Sequence, residues 1–142
     1  MQTTVLALLL AALTAPAAGR ETDAGLARLT LTFATGAKTG AVMVSLYDSR
    51  SAYAGGPPIR QARVDVAKGE RTAIFADLTT GTYAVKAFHD VDGNGRMNTN
   101  PFGLPTEPFA FSNNVRGNMG PASWDRARFN IAGIAAQTID IR

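Results

Sequence analysis

The chain has 142 residues, no cysteine and a formal net charge of +3 that is spread over side chains of both signs. Without cysteine it has no disulfide, no thiolate nucleophile and no cysteine-ligated zinc site. The charge is too small and too dispersed to predict a nucleic-acid or anionic-membrane partner.

The first residues have the order of a secretory signal peptide. An uninterrupted apolar run, Val5–Leu13, precedes the small residues Ala15–Gly19, which suit a cleavage site. No Lys or Arg precedes the run, and a buried N-terminal helix is the alternative. A membrane span takes about 20 apolar residues, so this run is too short. We therefore predict a signal peptide over 1–19, an exported (periplasmic or extracellular) protein, and a single domain over 20–142.

Apolar and polar residues alternate with a period of two along most of that domain, as in half-buried strands. Leu29, Leu31 and Phe33, for example, alternate with threonines. The predicted strands lie within 27–36, 40–49, 59–69, 71–78, 81–90, 108–113, 126–133 and 136–142. Residues 51–58 read as a Gly/Pro loop. The pattern predicts an all-β fold: a single antiparallel Greek-key β-sandwich of seven or eight strands with two long loops.

Tyr83 follows Gly81 at the start of one predicted strand. This spacing resembles a tyrosine corner, in which the phenol bonds back to the backbone of a sandwich. The alternative is a tyrosine that simply begins a strand. Both interpretations make Tyr83 structural.

The two long loops cover about 91–106 and 113–124, and loops of this length are usually functional or disordered. The first begins with the pattern of a calcium loop. If Asp90 is position one, Asp92 is three and Asn94 is five, with a glycine at six. Such a loop takes side-chain oxygens at one, three and five, a carbonyl at seven and often a water-linked group at nine. The predicted ligands of calcium (Ca2+) are Asp90, Asp92, Asn94, the Arg96 carbonyl and Asn98, with Gly95 making the turn.

The pattern fails at position twelve, where Pro101 replaces a bidentate Glu, and the loop follows a strand instead of a helix. Glu107 is the candidate to complete the ligand set, and Asn100 with a carbonyl is the alternative. The predicted affinity is weak, in the extracellular range of about 10⁻⁴–10⁻³ M. The competing interpretation is an Asx-rich turn that caps its own backbone.

His89, the single histidine, continues the inward face of its predicted strand. We expect it at the edge of the core, in a structural role. Adjacent residues of a strand point to opposite faces, so His89 and Asp90 are not expected to converge on a substrate. A small hydrolase that uses His89 and Glu107 is the weakest hypothesis, and we predict that the protein is not an enzyme.

The segments "AFHDVDGNGRMNTNPFGLPTEPFAFSNN" (87–114) and "MGPASWDRARFNI" (119–131) resemble the domain of unknown function 2141 family of small exported bacterial proteins. Leu78–Tyr83 is similar to the strand entry of transthyretin-like and carboxypeptidase-regulatory-like sandwiches. The resemblance implies a β-sandwich but no activity. Its implied signature positions are Asp90, Asp92, Asn94, Gly95, Glu107, Ser112, Asn113 and Asn114.

The chain departs from the family pattern at Asn98, where an Asp is expected, and this removes one carboxylate from the predicted calcium site. Trp124 stands where a Phe is usual. The chain also lacks the several His and Arg residues and the Tyr-Arg-Gly-Ser C-terminus of a transthyretin-like hydroxyisourate hydrolase.

The second loop carries the candidate ligand-binding residues Asn113, Asn114 and Trp124. They could contact a glycan or a cell-envelope component, with or without calcium. The alternative is that the asparagine amides join the two loops through backbone bonds. We also predict that Phe102, Leu104, Phe109 and Trp124 form a small apolar floor under the loops. The sequence indicates no oligomeric state.

Overall fold

The computed structural model describes residues 26–142. The predicted signal peptide and the predicted start of the domain lie outside this range. Eight strands and two short helices follow in chain order. They are β1 Ala27–Thr35, β2 Ala41–Tyr47, α1 Arg50–Gly55, β3 Arg60–Asp65, β4 Thr72–Leu78, β5 Gly81–Asp90, β6 Phe109–Phe111, α2 Trp124–Ala127, β7 Phe129–Ile131 and β8 Ile134–Ile141. None of the helices in this range is long and apolar enough to cross a bilayer.

The strands form two sheets, which confirms the all-β prediction. One sheet has the order β4-β1-β8, and the other has the order β3-β2-β5-β6 with β7 also paired to β5. The prediction that the fold is entirely antiparallel is wrong for β1 and β8, which run parallel from Arg28–Ile134 to Thr35–Ile141. These strands are the first and last of the described chain, so no tight hairpin forces an antiparallel arrangement on them.

One core cluster contains side chains from both sheets. Leu29, Leu31 and Phe33 of β1 are buried at alternate positions, as their spacing predicts. Val42 and Val44 of β2 join the same cluster from the other sheet. Full burial of such a side chain stabilises the fold by about 1.5–3 kcal/mol. Since the described chain contains no disulfide, these contacts hold the two sheets together.

The segment predicted as a Gly/Pro loop begins instead with helix α1. The hydroxyl of Ser49 accepts a hydrogen bond from Ala52 N at 3.2 Å and caps the helix. The buried ring of Tyr53 then packs edge-on against Tyr47 at 5.6 Å between centroids and against Trp124 at 5.7 Å. Tertiary packing of one aromatic side chain therefore stabilises a helix too short to form alone.

Tyr83 is buried at the start of β5. Its hydroxyl donates to the carbonyl of Thr79 at 2.7 Å. This is the backbone bond that the tyrosine-corner pattern predicts, and it anchors the turn from which β5 runs to the candidate site at Asp90.

Candidate metal site

The candidate site begins where β5 ends, at Asp90. The Asp90 carboxylate accepts Asn94 N at 3.1 Å with one oxygen and Gly95 N at 2.8 Å with the other. Gly93 and Gly95 have φ values of 74° and 81°, the left-handed region that glycine tolerates. These bonds curl the backbone around the carboxylate, as the alternating sequence pattern predicts.

Asp92, Asn94 and Asn98 form a polar cluster beside this turn. The Asp92 carboxylate accepts Asn94 N at 3.1 Å and the Asn98 side-chain amide at 2.7 Å. The Asn94 amide donates to the Asn98 side-chain oxygen at 2.6 Å. The amide of Asn98, followed by the backbone N–H of Asn94, donates to the charged form of Asp92 and holds the pKa of its carboxyl below the usual range.

Glu107 reaches back to the loop from just before β6. Its carboxylate accepts Val91 N at 2.9 Å and Asn98 N at 3.0 Å. It therefore joins the beginning and the end of the segment that carries the predicted calcium ligands. We call Asp90–Asn98 together with Glu107 the acidic loop.

The three carboxylates of the acidic loop lie close together. One oxygen from each of Asp90, Asp92 and Glu107 is within 4.8 Å of the other two. Asp90 and Glu107 are only 2% and 7% exposed. Within residues 26–142, no side-chain nitrogen of Lys, Arg or His lies within 4.0 Å of the carboxylate oxygens of any of the three. The group therefore offers three carboxylates close together, and carboxylate oxygens are the donors that calcium and magnesium bind.

Two further residues are candidate ligands, namely Arg96 through its backbone carbonyl, and Asn100. Arg96 is exposed, and its N–H donates to the Asn94 side-chain oxygen at 2.8 Å. The Asn100 oxygen accepts from Phe102 N at 2.9 Å and from Leu104 N at 3.0 Å, so it closes a separate turn. Glu107, and not Asn100, is therefore the residue that joins Asp90 and Asp92.

His89 is fully buried, and it lies on the face of β5 opposite to Asp90. Its Nε2 lies 2.7 Å from the carbonyl oxygen of Thr39, so Nε2 carries the hydrogen of this bond. Its Nδ1 has no hydrogen-bond partner among the residues that the structure describes. The ring has no exposed surface through which a substrate could reach it.

Sequence reasoning missed Thr39 and Gly40, which support the acidic loop from the β1–β2 turn. The Thr39 hydroxyl donates to the Val91 carbonyl at 3.0 Å. Gly40 has a φ of 66°, and a Cβ at this position would lie 1.8 Å from the Asp90 carbonyl oxygen. Only the glycine in "TGA" offered a signal, and it did not reveal which segment packs against it.

The candidate ligand-binding residues of the second loop are engaged within the protein. The Asn113 amide donates to the carbonyls of Arg126, Ala127 and Arg128 at 2.9–3.1 Å. Asn114 donates to the Thr138 carbonyl at 2.9 Å and accepts from Asp140 N at 2.8 Å. Trp124 is half-buried against Tyr53. The two asparagines thus attach the second loop to α2 and β8.

The predicted apolar floor does not form as one cluster. Phe102, Leu104 and Phe109 are exposed, whereas Trp124 packs in a separate cluster around Tyr53. The prediction of one apolar floor was wrong because the sequence did not show that α1 would supply an aromatic partner for Trp124.

Comparison with known proteins gives a family. A family model described as an uncharacterized protein conserved in bacteria (DUF2141) matches residues 35–139. A search of the curated proteins found no match. The family match covers every residue of the acidic loop and all of the strands except most of β1 and the last two residues of β8. It agrees with the resemblance carried by 87–114 and 119–131. The chain belongs to the DUF2141 family.

Proposed function

We propose that this protein is an exported, non-enzymatic β-sandwich module whose acidic loop binds Ca2+ and thereby orders a ligand-presenting surface. The observation that carries the proposal is the close, largely buried group of Asp90, Asp92 and Glu107 without a cationic partner in the described chain. The interpretation of the two sheets as a transthyretin-like Greek-key sandwich is part of the same proposal, as is export through the N-terminal segment.

The donor atoms fit calcium. Asp90, Asp92 and Glu107 supply carboxylate oxygens, and Asn94 and Asn98 supply amide oxygens. Hard oxygen donors of this kind suit calcium or magnesium, and a flexible set of carboxylates and amides suits calcium better. When bound, the ion would supply the positive charge that the described protein groups do not.

The effect of such an ion would reach the rest of the first loop. Glu107 already ties Val91 to Asn98, and Thr106 N donates to the Asn98 carbonyl at 2.9 Å. An ion held by Glu107 and Asp92 would therefore stiffen both ends of the segment 98–107. Gly103, Leu104 and Pro105 of this segment line a groove together with residues of β2, β5 and β6.

The proposal is tested by melting the purified protein in millimolar calcium, in magnesium and in EDTA. We expect calcium to raise the melting temperature, and Asp92→Asn to abolish the rise without preventing folding, because Asp92 is exposed. Asp125→Asn is the matched control, since Asp125 is also exposed but pairs with Arg50 at 2.6 Å. No calcium shift in the unmodified protein, or an equal shift in Asp92→Asn, would contradict the proposal.

A metal-free glycan or cell-envelope binding module is the alternative, and it would use Asn113, Asn114 and Trp124. Their internal hydrogen bonds and packing leave it less support than the calcium proposal. A glycan array with calcium and with EDTA separates the two, because only the alternative predicts binding that Asn113→Ala abolishes and EDTA leaves unchanged.

A hydrolase using His89 and Glu107 is the weaker alternative. The burial of His89 and the two backbone bonds of Glu107 support a structural role for both. Activity on ester or amide substrates that His89→Gln removes while the fold is retained would favour the hydrolase instead.

A further inference from the structure

A groove of about 840 Å³ lies on the outer face of the sheet β3-β2-β5-β6. Its volume falls within the range of about 300–1,000 Å³ that is typical of small-molecule sites. It lies between the two long loops, on the face of β5 opposite to His89. Neither the calcium proposal nor the family match assigns a role to it.

The floor of the groove consists of two rows of side chains across the sheet. In one row Met43 pairs with Phe88, and Phe88 pairs with Phe109. In the next row Ser45 pairs with Lys86, and Lys86 pairs with Phe111. Residues that pair directly across strands place their side chains on the same face, about 5 Å apart at Cβ. The floor is therefore apolar at one end and carries an ammonium and a hydroxyl at the other.

The walls of the groove come from the two long loops. Met97 and Leu104 line it from the first loop, and Met119 and Pro121 line it from the second. Leu104 is 61% exposed and Met119 is fully exposed, although both face an apolar floor. Together with Met43, three of the four methionines of the chain line this groove. Flexible, polarizable methionine side chains suit a surface that adapts to an apolar ligand.

Lys86 is the one charged side chain among the described residues that line the groove. Its Nζ donates to the Tyr53 carbonyl at 2.6 Å and lies 4.3 Å from the centre of the Tyr53 ring. Within residues 26–142 no carboxylate lies within 4.0 Å of it. Burial lowers the pKa of this ammonium. An ammonium has three donors, so Lys86 keeps donors for an anion beyond the bond to Tyr53.

Ser45 lies directly opposite Lys86 and provides a second polar contact. Its hydroxyl oxygen accepts from the Gln61 amide at 3.4 Å, so its own hydrogen can be donated to a ligand. One ammonium and one hydroxyl match one carboxylate. A phosphate headgroup carries more charge and more acceptor oxygens than these two groups satisfy.

We propose that the groove binds a free, single-chain amphiphile with a carboxylate head, such as a fatty acid, with the head at Lys86 and Ser45 and the tail over Met43, Phe88 and Phe109. The charge complementarity of one cation in an apolar groove carries the proposal. It deepens the proposed function, because the first loop supplies one wall, but the floor is part of the sheet and does not depend on the ion.

The test is calorimetric titration of the purified protein with decanoate and with decyltrimethylammonium, both below their micellar concentrations. We expect decanoate to bind and the cationic amphiphile with the same tail to bind at least about tenfold more weakly. Lys86→Met keeps most of the apolar stem and removes the charge, and it should weaken decanoate binding about tenfold. Lys38→Met, at an exposed lysine outside the groove, should leave both affinities unchanged.

A second variant keeps the test decisive if Lys86→Met fails to fold, since Lys86 also bonds to α1. Leu104→Glu places a negative charge on the exposed wall and should abolish decanoate binding in a folded protein. Ile134→Glu, at an exposed position on β8, is its control. Unchanged decanoate affinity in Leu104→Glu, or equal affinity for the two amphiphiles in the unmodified protein, would overturn the proposal.

Two further experiments test for other occupants of the groove. If the protein floats with phosphatidylglycerol vesicles, the occupant is a membrane surface and not a free carboxylate. If sedimentation shows a concentration-dependent dimer that blocks decanoate binding, the occupant is a second copy of the chain. We expect neither.

Titration in calcium and in EDTA separates this inference from the calcium proposal. We expect decanoate to bind in both and more tightly in calcium, because the ion would fix the wall that carries Met97 and Leu104. Decanoate binding without a calcium shift in melting temperature would contradict the calcium proposal alone. A calcium shift without decanoate binding would overturn only the groove.

Discussion

Two turns of this protein use carboxylates in the same way but differ in how they balance charge. At the β3–β4 turn, the Asp65 carboxylate accepts Lys68 N at 3.2 Å, and Glu70 accepts Asp65 N at 2.8 Å. In the acidic loop, Asp90 and Glu107 accept backbone N–H groups in a similar manner. In both places carboxylates hold an irregular backbone in shape, which Asx-type turns do without any ion.

The difference lies in the neighbouring cations. Asp65 pairs with Arg63 at 3.2 Å and with Lys68 at 3.5 Å. The acidic loop has three carboxylates, two of them buried, and no such partner in the described chain. The β3–β4 turn therefore has both backbone capping and ion pairs, whereas the acidic loop has backbone capping alone and its charge is not balanced. That imbalance, and not the hydrogen bonds, is what supports a bound cation.

The largest effect should come from Gly40, which packs against the acidic loop, in comparison with Gly69 of the β3–β4 turn. Gly40→Ala would place a methyl group against the Asp90 carbonyl at a positive φ, whereas Gly69 has a positive φ but open space around it. Strain and overpacking each cost about 1–3 kcal/mol, so we expect Gly40→Ala to lose about 3 kcal/mol or more of unfolding free energy. Gly69→Ala should lose about 1–2 kcal/mol. Urea denaturation measures both, and equal losses would show that the β1–β2 turn does not support the acidic loop.

A smaller difference in unfolding free energy should separate Glu107→Gln in the acidic loop from Glu70→Gln in the β3–β4 turn. Glu107→Gln leaves an amide nitrogen facing the backbone N–H of Val91 or Asn98, and a buried unsatisfied donor costs about 1–3 kcal/mol. Glu70→Gln retains one oxygen for its single backbone bond and should change stability by less than about 0.5 kcal/mol. Denaturation in EDTA excludes calcium from this comparison. A negligible loss in Glu107→Gln would mean that relief of charge repulsion offsets the lost bond.

The smallest effect should be on the stability of the fold at low pH, through the Asp65 carboxyl. Burial acts to raise the pKa of Asp65, but the bonds from Arg63 and Lys68 and the Lys68 charge outweigh it, so the pKa lies below its ordinary value of 3.8. A lowered carboxyl pKa stabilises the fold above the unfolded value, and this stabilisation is lost as pH falls below 3.8. Asp65→Asn should therefore flatten the fall in melting temperature between about pH 5 and about pH 2. Parallel curves for variant and unmodified protein would show that these ion pairs add nothing measurable.

Much of the candidate site was predictable because it is local. The period-two pattern located the strands, and the spacing of Asp90, Asp92, Asn94 and Gly95 described a backbone that curls around its own side chains. Glu107 was one of two candidates to complete the ligand set, with Asn100 as the other. The hydrogen bond from Tyr83 to Thr79 joins residues only four positions apart, so it was also predictable from the sequence.

The remaining features depend on segments that are distant in sequence. Thr39 and Gly40 touch β5 across some fifty residues, and α1 exists because Tyr53 meets Trp124. The parallel pairing of β1 with β8 joins the two ends of the described chain. No periodicity encodes such contacts, because each depends on which surfaces meet after the sheets have formed.

The sequence by itself determined the strand pattern, the class of oxygen donors in the acidic loop and the position of its turn, since these follow from side-chain chemistry over a few residues. Only the tertiary structure decided that Glu107 closes the loop, that Asn113 and Asn114 are engaged internally, and that Lys86 lies in an apolar groove. The physical reason is that burial and charge balance depend on every segment packed around a group, and the chain brings those segments together only on folding.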